Sequence, residues 1–227
     1  MIGWPEQLRK EGSVYKYHKI QSLYKRNPET HRFDGRWSME EFGALQEIEW
    51  EWTEKLDGMN IRIGFDPYVG DVLLVGGRTD KAEIPGRLRA AIESVGFLSY
   101  LKDASILWND APVTLIGEGI GSKIQRGADY HLGEPKNEFV LFDVNVGSRW
   151  LNRVNVEETA RVLGIRSTPV IGTGTLLQAE EFVREGFASM LEGSAKAAEG
   201  LVVRPPVEMF GQWGQRIIAK VKTKDFA

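Results

Sequence analysis

Cysteine is absent from the 227 residues, which excludes disulfides and thiolate metal sites and is compatible with a reducing, cytoplasmic setting. Histidine is scarce: His18, His31 and His131 are too scattered to suggest a zinc site. Long apolar runs are missing as well. No stretch approaches the roughly 20 residues of a membrane span, and the N-terminus meets Glu6, Arg9 and Lys10 before any apolar run develops, so neither membrane insertion nor export is expected. Nor is there an excess of positive charge. The formal net charge is −3, far from the pI above about 9 that announces many nucleic-acid binders, so any such contact must use local patches. Low-complexity linkers and internal repeats are absent.

What remains is the composition of an ordinary globular chain, 42% hydrophobic and 27% charged, long enough for one large domain or two small ones. One domain over residues 1–227 is expected, with residues 1–47 as a mixed polar and aromatic leader packed on it. Turn signals fall at Asn27-Pro28 and Asp34-Gly35. Two basic patches stand out. One is Lys16, Lys19, Lys25 and Arg26 interleaved with Tyr15, Tyr17 and Tyr24; the other is the terminal Lys220, Lys222 and Lys224. Each reads either as a solvated face or as a phosphate-binding surface.

From Glu47 the pattern has period two: Ile48 to Trp52, Ile61 to Phe65, then Val72 to Val75, with turns at Asp66-Pro67 and Gly70-Asp71, which predicts an antiparallel meander. Helical spacing runs from Pro85 to about Leu101, with Leu88, Ile92, Val95 and Leu98 apolar. Val113 to Ile116 and Phe139 to Val144 read as buried strands, and Val156 to Leu163 and Ala179 to Leu191 as helices. Ser194 to Ala198 reads as a turn, Leu201 to Val203 as a strand and Ile217 to Val221 as the last strand. The sum is an α+β chain with mostly antiparallel sheets and helices outside.

The chemistry concentrates in Thr53-Glu54-Lys55-Leu56-Asp57-Gly58-Met59-Asn60, a lysine set between carboxylates at the mouth of a strand. A lysine with its ordinary pKa of about 10.4 carries the free amine in only about one molecule in 2,500 at neutral pH. It becomes a nucleophile where desolvation or neighbouring cations lower that pKa, and Arg78, Lys220 and Lys222 are candidate cations. Asp57 and Asn60 offer oxygens to a hydrated Mg²⁺, and Gly58 lets the backbone approach a ligand. Taken alone, Lys55 to Gly58 also fits a surface hairpin turn. Lys220 and Lys222 alternate on one face of the last strand, where two like charges call for an anion. Phe142 shares a face with Val140 by period two, and fits either a stacking surface for a ring or a core aromatic.

Glu54 to Asn60 resembles the nucleotidyl-lysine motif of the covalent nucleotidyltransferases, the superfamily of ATP-dependent ligases and mRNA-capping enzymes. Further resemblances follow in family order at Gly77-Arg78-Thr79, Ile116-Gly117-Glu118-Gly119, Phe139 to Asp143, Glu199 to Arg204 and Ala219 to Lys222. Together they span about three quarters of the chain. Lys123-Ile124-Gln125-Arg126-Gly127 resembles the segment after the glutamate in small phage-type RNA ligases, and Tyr17 to Arg26 looks like the leader of RNA-ligase-like proteins.

The resemblance implies a nucleotidyltransferase fold and assigns roles. Lys55 would be the nucleophile, and Lys220, Lys222 and Arg78 would contact phosphate. Glu54, Glu118 and Phe142, with the lysine pair, would hold the nucleotide; Asp57, Asn60 and Glu199 would hold the metal. ATP and Mg²⁺ or Mn²⁺ are the implied cofactors, and RNA 5′-phosphate and 3′-hydroxyl ends the implied partners, with no membrane and an open place for a protein that helps hold ends. The implied activity is ATP-dependent RNA ligation of the RNA-repair type. A DNA ligase or capping guanylyltransferase is the alternative, but both usually carry an OB-type domain after the lysine pair, and the sequence ends at Ala227, five residues after Lys222, so no such C-terminal domain is expected. A non-catalytic RNA-end-binding module is the alternative from another class; intact Lys55, Glu118, Glu199, Lys220 and Lys222 argue against it.

Overall fold

The computed structural model describes residues 15–30, 32–125, 130 and 136–226. Residues 1–14 of the leader, His31, His131 and the Arg126-Gly127 end of the phage-type segment lie outside the described residues. In chain order the strands and helices are β1 (Gln21–Ser22), β2 (Tyr24–Arg26), β3 (Phe33–Trp37), α1 (Glu40–Ala44), β4 (Trp50–Glu54), β5 (Met59–Phe65), β6 (Leu74–Gly77), α2 (Gly86–Glu93), α3 (Phe97–Leu107), β7 (Val113–Ile120), β8 (Glu138–Val146), β9 (Arg149–Trp150), α4 (Arg153–Leu163), β10 (Val170–Gly174), α5 (Leu176–Glu185), β11 (Gly200–Arg204) and β12 (Ala219–Lys222). The α+β class with mostly antiparallel sheets and outer helices is the one the sequence predicts. No helix among the described residues is long and apolar enough to cross a membrane.

These elements divide into two compact units, a lysine unit (19–30, 32–57, 130 and 168–226) and a glycine unit (15–18, 58–125 and 136–167). The sheet of the lysine unit has the order β1-β12-β11-β4-β10. All its pairings are antiparallel except the edge, where β1 lies parallel to β12 with Gln21 opposite Ala219 and Ser22 opposite Lys220. Trp50, Leu201, Val203, Ala219 and Val221 bury in one core with Leu176, Ala179 and Val183 of α5, the apolar stripe of an amphipathic helix. The helix starts earlier than its apolar spacing suggests because Thr175 and Gln178 form a reciprocal capping box, and it stops at Gly186 rather than at Leu191.

The glycine unit carries a second antiparallel sheet, order β6-β5-β7-β8-β9. Ile61, Ile63, Leu115 and Leu141 pack there against Leu88 and Ile92 of α2, Leu101 of α3 and Val156 of α4. Three sequence expectations need correction. The three-strand meander does not form: β5 and β6 are a hairpin, but β4 pairs with β10 and β11 in the other sheet, since period two specifies a strand and its faces but not its neighbours. The helix from Pro85 to Leu101 is two helices, broken where Gly96 takes the left-handed conformation at φ 76°. Finally, β7 does not end at Ile116 but runs through Gly117, Glu118 and Gly119 to Ile120.

Candidate active site

In the lysine unit β4 delivers Lys55 to the end of β11, where its N–H donates to the Gly200 carbonyl at 2.8 Å. The Lys55 ammonium donates to Glu199 Oε2 at 2.5 Å and to the Leu56 carbonyl at 3.3 Å. The other oxygen of Glu199 pairs with the Lys222 ammonium. One carboxylate therefore bridges two lysines, and the three side chains remain 22%, 14% and 18% exposed for Lys55, Glu199 and Lys222. Lys220 and Lys222 alternate along β12 with Ala219 and Val221, which are buried. The shared face expected for the lysine pair is thus present, and for Lys222 the anion it meets is Glu199. Burial by itself would raise the Glu199 carboxyl, but the charge of Lys55 and the hydrogen bonds and charge of Lys222 and Lys55 outweigh it and hold the group below the ordinary carboxylate range.

Glu54 sits beside this bridge in sequence but has a different environment. It is 1% exposed, and its Oε2 accepts the Met190 N–H at 2.8 Å. Burial pushes its carboxyl up, with the Ser189 hydroxyl, the N–H groups of Met190 and Leu191 and the charge of Lys196 offsetting part of the rise. Tyr130, which the sequence reading passed over, is fully buried and accepts the Asp57 N–H on its hydroxyl at 2.7 Å, while the Lys196 ammonium stands 4.1 Å from its ring centroid. It fixes the backbone of Asp57, whose side chain is half-buried. An isolated tyrosine carries no sequence signal for that role.

In the glycine unit β5 and β7 place Asn60 opposite Glu118, and Glu118 Oε1 accepts the Gly58 N–H at 3.1 Å. A Cβ on Gly58 would stand 2.3 Å from the Gly119 carbonyl oxygen; the glycine is required by the passing strand whether or not a ligand approaches. The Asn60 Oδ1 is buried and has no hydrogen-bond partner among the described residues, an uncommon state for a polar atom. Phe142 is the half-exposed residue in the middle of a buried strand. The register slips there, with Ile116 opposite Asp143 and Gly117 opposite Leu141, so Phe142 is unopposed and does not follow Val140 by simple alternation. Tyr17 braces it, with ring centroids 5.4 Å apart and the Tyr17 hydroxyl donating to Asp143 at 2.7 Å. Arg78 is exposed just after β6, while Arg62, unnoticed in the sequence, is fully buried and donates to the Gly77 carbonyl at 2.6 Å and to Asp80 at 2.8 Å.

The structure thus brings Lys55, Glu199 and Lys222 together with Lys220 on the same strand face, and joins Glu118 to Gly58 opposite Asn60. Arg78 follows β6 and Phe142 lies in β8, and these strands are on opposite sides of β5 and β7 in the sheet order. Among the described residues no cluster of three or more His, Asp or Glu side chains is disposed to hold a metal ion.

Residues 48–222 match the RNA ligase family. The chain belongs to the RNA ligase family. No curated protein matches it. Among solved structures this RNA ligase family member is similar to an RNA ligase of Naegleria gruberi. A mutant of that enzyme in the apo form is 16% identical, with a TM-score of 0.61 over 95% of this chain and 60% of that one. A mutant with ATP and Mn gives 17% identity, a TM-score of 0.61 and the same coverage; a mutant with AMP and Mn gives 15%, 0.58, 95% and 62%. The family member therefore spans about three fifths of the length of those chains, and at such identities the likeness is one of fold.

Proposed function

We propose that this RNA ligase family member is an ATP-dependent RNA ligase, acting as one adenylation domain, that joins 5′-phosphate and 3′-hydroxyl RNA ends through a lysyl-AMP intermediate and an AMP-capped RNA. The observation that carries the reading is the single Glu199 carboxylate shared by Lys55 and Lys222. Glu199 holds the Lys55 and Lys222 side chains on one carboxylate, beside the strand that also carries Lys220. Once that carboxylate is engaged elsewhere, the Lys55 side chain and the cations of β12 are together available to meet a phosphate.

The amine of Lys55 then attacks the α-phosphorus of ATP: an N–P bond forms, the bond to the pyrophosphate oxygen breaks, and the amine proton is lost. Lys220 and Lys222 neutralise the charge that develops on the phosphate oxygens. The AMP next passes to the RNA 5′-phosphate, and the 3′-hydroxyl of the second end displaces it to seal the strand. Glu118 and Phe142 are proposed to hold the nucleoside, Glu54 to act on it through the Ser189 to Leu191 segment it binds, and Arg78 to meet phosphate.

Glu199 fits a divalent cation as a half-buried carboxylate kept ionised, and Asp57 and the unpartnered Asn60 Oδ1 are the further proposed ligands. A site without a three-carboxylate cage suits Mg²⁺ or Mn²⁺, which keep several waters and take other oxygens from phosphate. Such an ion would polarise the α-phosphate as a Lewis acid. The ATP, AMP and Mn in the Naegleria structures support this choice of cofactors. A cytoplasmic location, and a partner protein that helps hold ends, belong to the same proposal.

Incubation with Mg²⁺ and nucleotide labelled on the α-phosphate tests the reading. Label should stay on the denatured protein, come from ATP far more than from GTP, be acid-labile as a phosphoramidate is, and disappear in Lys55→Ala. Undiminished labelling of Lys55→Ala would remove the nucleophile from this position. Sealing of 5′-phosphate RNA in preference to the matching DNA tests the substrate class.

A further inference from the structure

Lys19, Lys25 and Arg26 of the first basic patch meet the terminal patch in the lysine unit. An open groove of about 830 Å³ is lined by Lys220 and Lys222 of β12 and by Lys224 just beyond it. Lys19, Lys25, Arg26 and Arg36 of the leader line the same groove. The parallel pairing of β1 with β12 brings the leader to that place, and the β2–β3 ribbon continues from it. Seven cations face one lining carboxylate, Asp225, in a chain of net charge −3. Asp225 is already paired with Arg26, and Arg36 rests against Asp34. Lys19, Lys25 and Lys224 are exposed and form no ion pair among the described residues. Like charges gathered on a concave surface repel one another and focus a field that an anion relieves.

We propose that this groove holds the phosphate backbone of a single-stranded segment of the RNA being joined, running several nucleotides from the reacting end; the proposal rests on the ligase reading for the identity of that strand. A triphosphate needs only the cations nearest the reacting phosphorus, which leaves the leader residues and Lys224 unexplained. A strand supplies one charge per nucleotide along the groove. Tyr24 lines the groove too, stacked on Trp37 with centroids 4.8 Å apart, and adds the aromatic surface that single-strand binders interleave with cations. The leader thereby acquires a function: it completes a binding surface beside the lysine strand.

The test is fluorescence anisotropy with a labelled single-stranded 5′-hydroxyl RNA of about 12 nucleotides, without ATP, over a salt series. The full chain is compared with the Lys19→Ala/Lys25→Ala/Lys224→Ala variant. Each single-strand phosphate contact contributes about −0.7 to the slope of log affinity against log salt, so the variant should lose about 2 from the slope and bind at least about tenfold more weakly near 0.1 M salt. Self-labelling with ATP should be unchanged, and arginine at the same three positions should restore RNA binding. The control Arg87→Ala/Lys102→Ala/Arg161→Ala makes the same change of charge in the glycine unit and should bind RNA like the parent chain. Unchanged RNA affinity in the groove variant, an equal loss in the control, or a loss of ATP labelling with RNA binding intact would each overturn the proposal. Since binding is read without nucleotide or turnover, a parent chain that binds RNA through the groove but never labels itself would fail the ligase reading alone.

Discussion

The two units hold their candidate residues by different means. In the lysine unit the candidate side chains are held by charge: Lys55 and Lys222 share the Glu199 carboxylate, and all three stay partly open to solvent. In the glycine unit they are held by shape, with Glu118 in a strand whose flanking glycines lie against the neighbouring chain so closely that a Cβ on Gly117 would stand 2.4 Å from the Val140 carbonyl oxygen. A charge cluster tolerates a change of shape but not of charge. A close-packed strand tolerates the reverse. The comparison therefore predicts that isosteric and steric substitutions sort oppositely between activity and stability.

The largest effect belongs to the charge cluster. Glu199→Gln keeps the volume and removes the charge that Lys55 and Lys222 share, and should lower self-labelling by about 10²- to 10³-fold, the scale for losing one preorganised electrostatic group. Its melting temperature at neutral pH should fall by no more than a few degrees, because the amide keeps the volume and an acceptor oxygen for the lysines, and a lost hydrogen bond of this kind is worth about 1–2 kcal/mol. The carboxyl is depressed in the folded chain, so its stabilisation is present above its ordinary value of 4.5 and lost as the pH falls through the lower folded value. A variant that labels normally but melts far below the parent at pH 7 would place Glu199 among the shape-holding residues.

Gly117→Ala should do the opposite. It alters no charge, yet its methyl would meet the Val140 carbonyl and the Phe139 ring at 2.4 and 2.5 Å. Overpacking of this kind costs about 1–3 kcal/mol, which at this size lowers the melting temperature by several degrees. The folded fraction should still label itself when assayed well below that temperature. Equal stability of Gly117→Ala and the parent in a thermal melt would break the shape half of the comparison.

Phe142 tests the boundary between the two modes, since it belongs to the shape-built unit but is half-exposed at a register slip. Phe142→Ala should raise the KM for ATP in self-labelling by about 2- to 10-fold, the worth of one aromatic stack, and Phe142→Leu should recover part of it by keeping apolar cover. Unfolding of both variants, with normal ATP use in whatever remains folded, would make the residue part of the core.

How much of this could be read from sequence follows the same division. Charge clusters are legible when their members sit in strands with clear alternation: Lys220 and Lys222 fall on one face as expected, and Lys55 with Glu199 is found where the family-like motifs stand. Partners across sheets are not legible, because period two says nothing of which strand lies alongside, and that hid both the placement of β4 and the groove that β1 makes with β12. Shape is less legible still. Gly117 and Gly119 look like strand breakers, yet they let β7 continue under close neighbours. Arg62 reads as an outward charge in an alternating strand but is fully buried on Asp80 and the Gly77 carbonyl. Nothing in the alternation around Phe142 marks the slip that exposes it, and the apolar spacing from Ala179 onward does not show the helix start that the Thr175–Gln178 capping box sets.

The smallest predicted effect asks whether every carboxylate of the lysine unit belongs to the charge cluster. Glu54 is next to Lys55 in sequence, but it is buried, and burial raises its carboxyl where Glu199 is lowered. A raised group stabilises the fold fully below its unfolded pKa, near 4.5, and that contribution is lost as the pH rises through the folded value. Glu54 should therefore weaken the fold at neutral pH relative to a neutral side chain of the same shape. Glu54→Gln keeps an oxygen for the Met190 N–H and loses the buried charge. The difference in melting temperature between Glu54→Gln and the parent should be near zero or negative around pH 4 and positive at pH 8, by at most a few degrees, since about 1 kcal/mol corresponds to roughly 2–4 °C at this size. Taking the difference cancels the opposite drift from Glu199. A difference that stays constant from pH 4 to pH 8 would mean that Glu54 titrates alike in the folded and unfolded chain, and would return it to the cluster of functional charges.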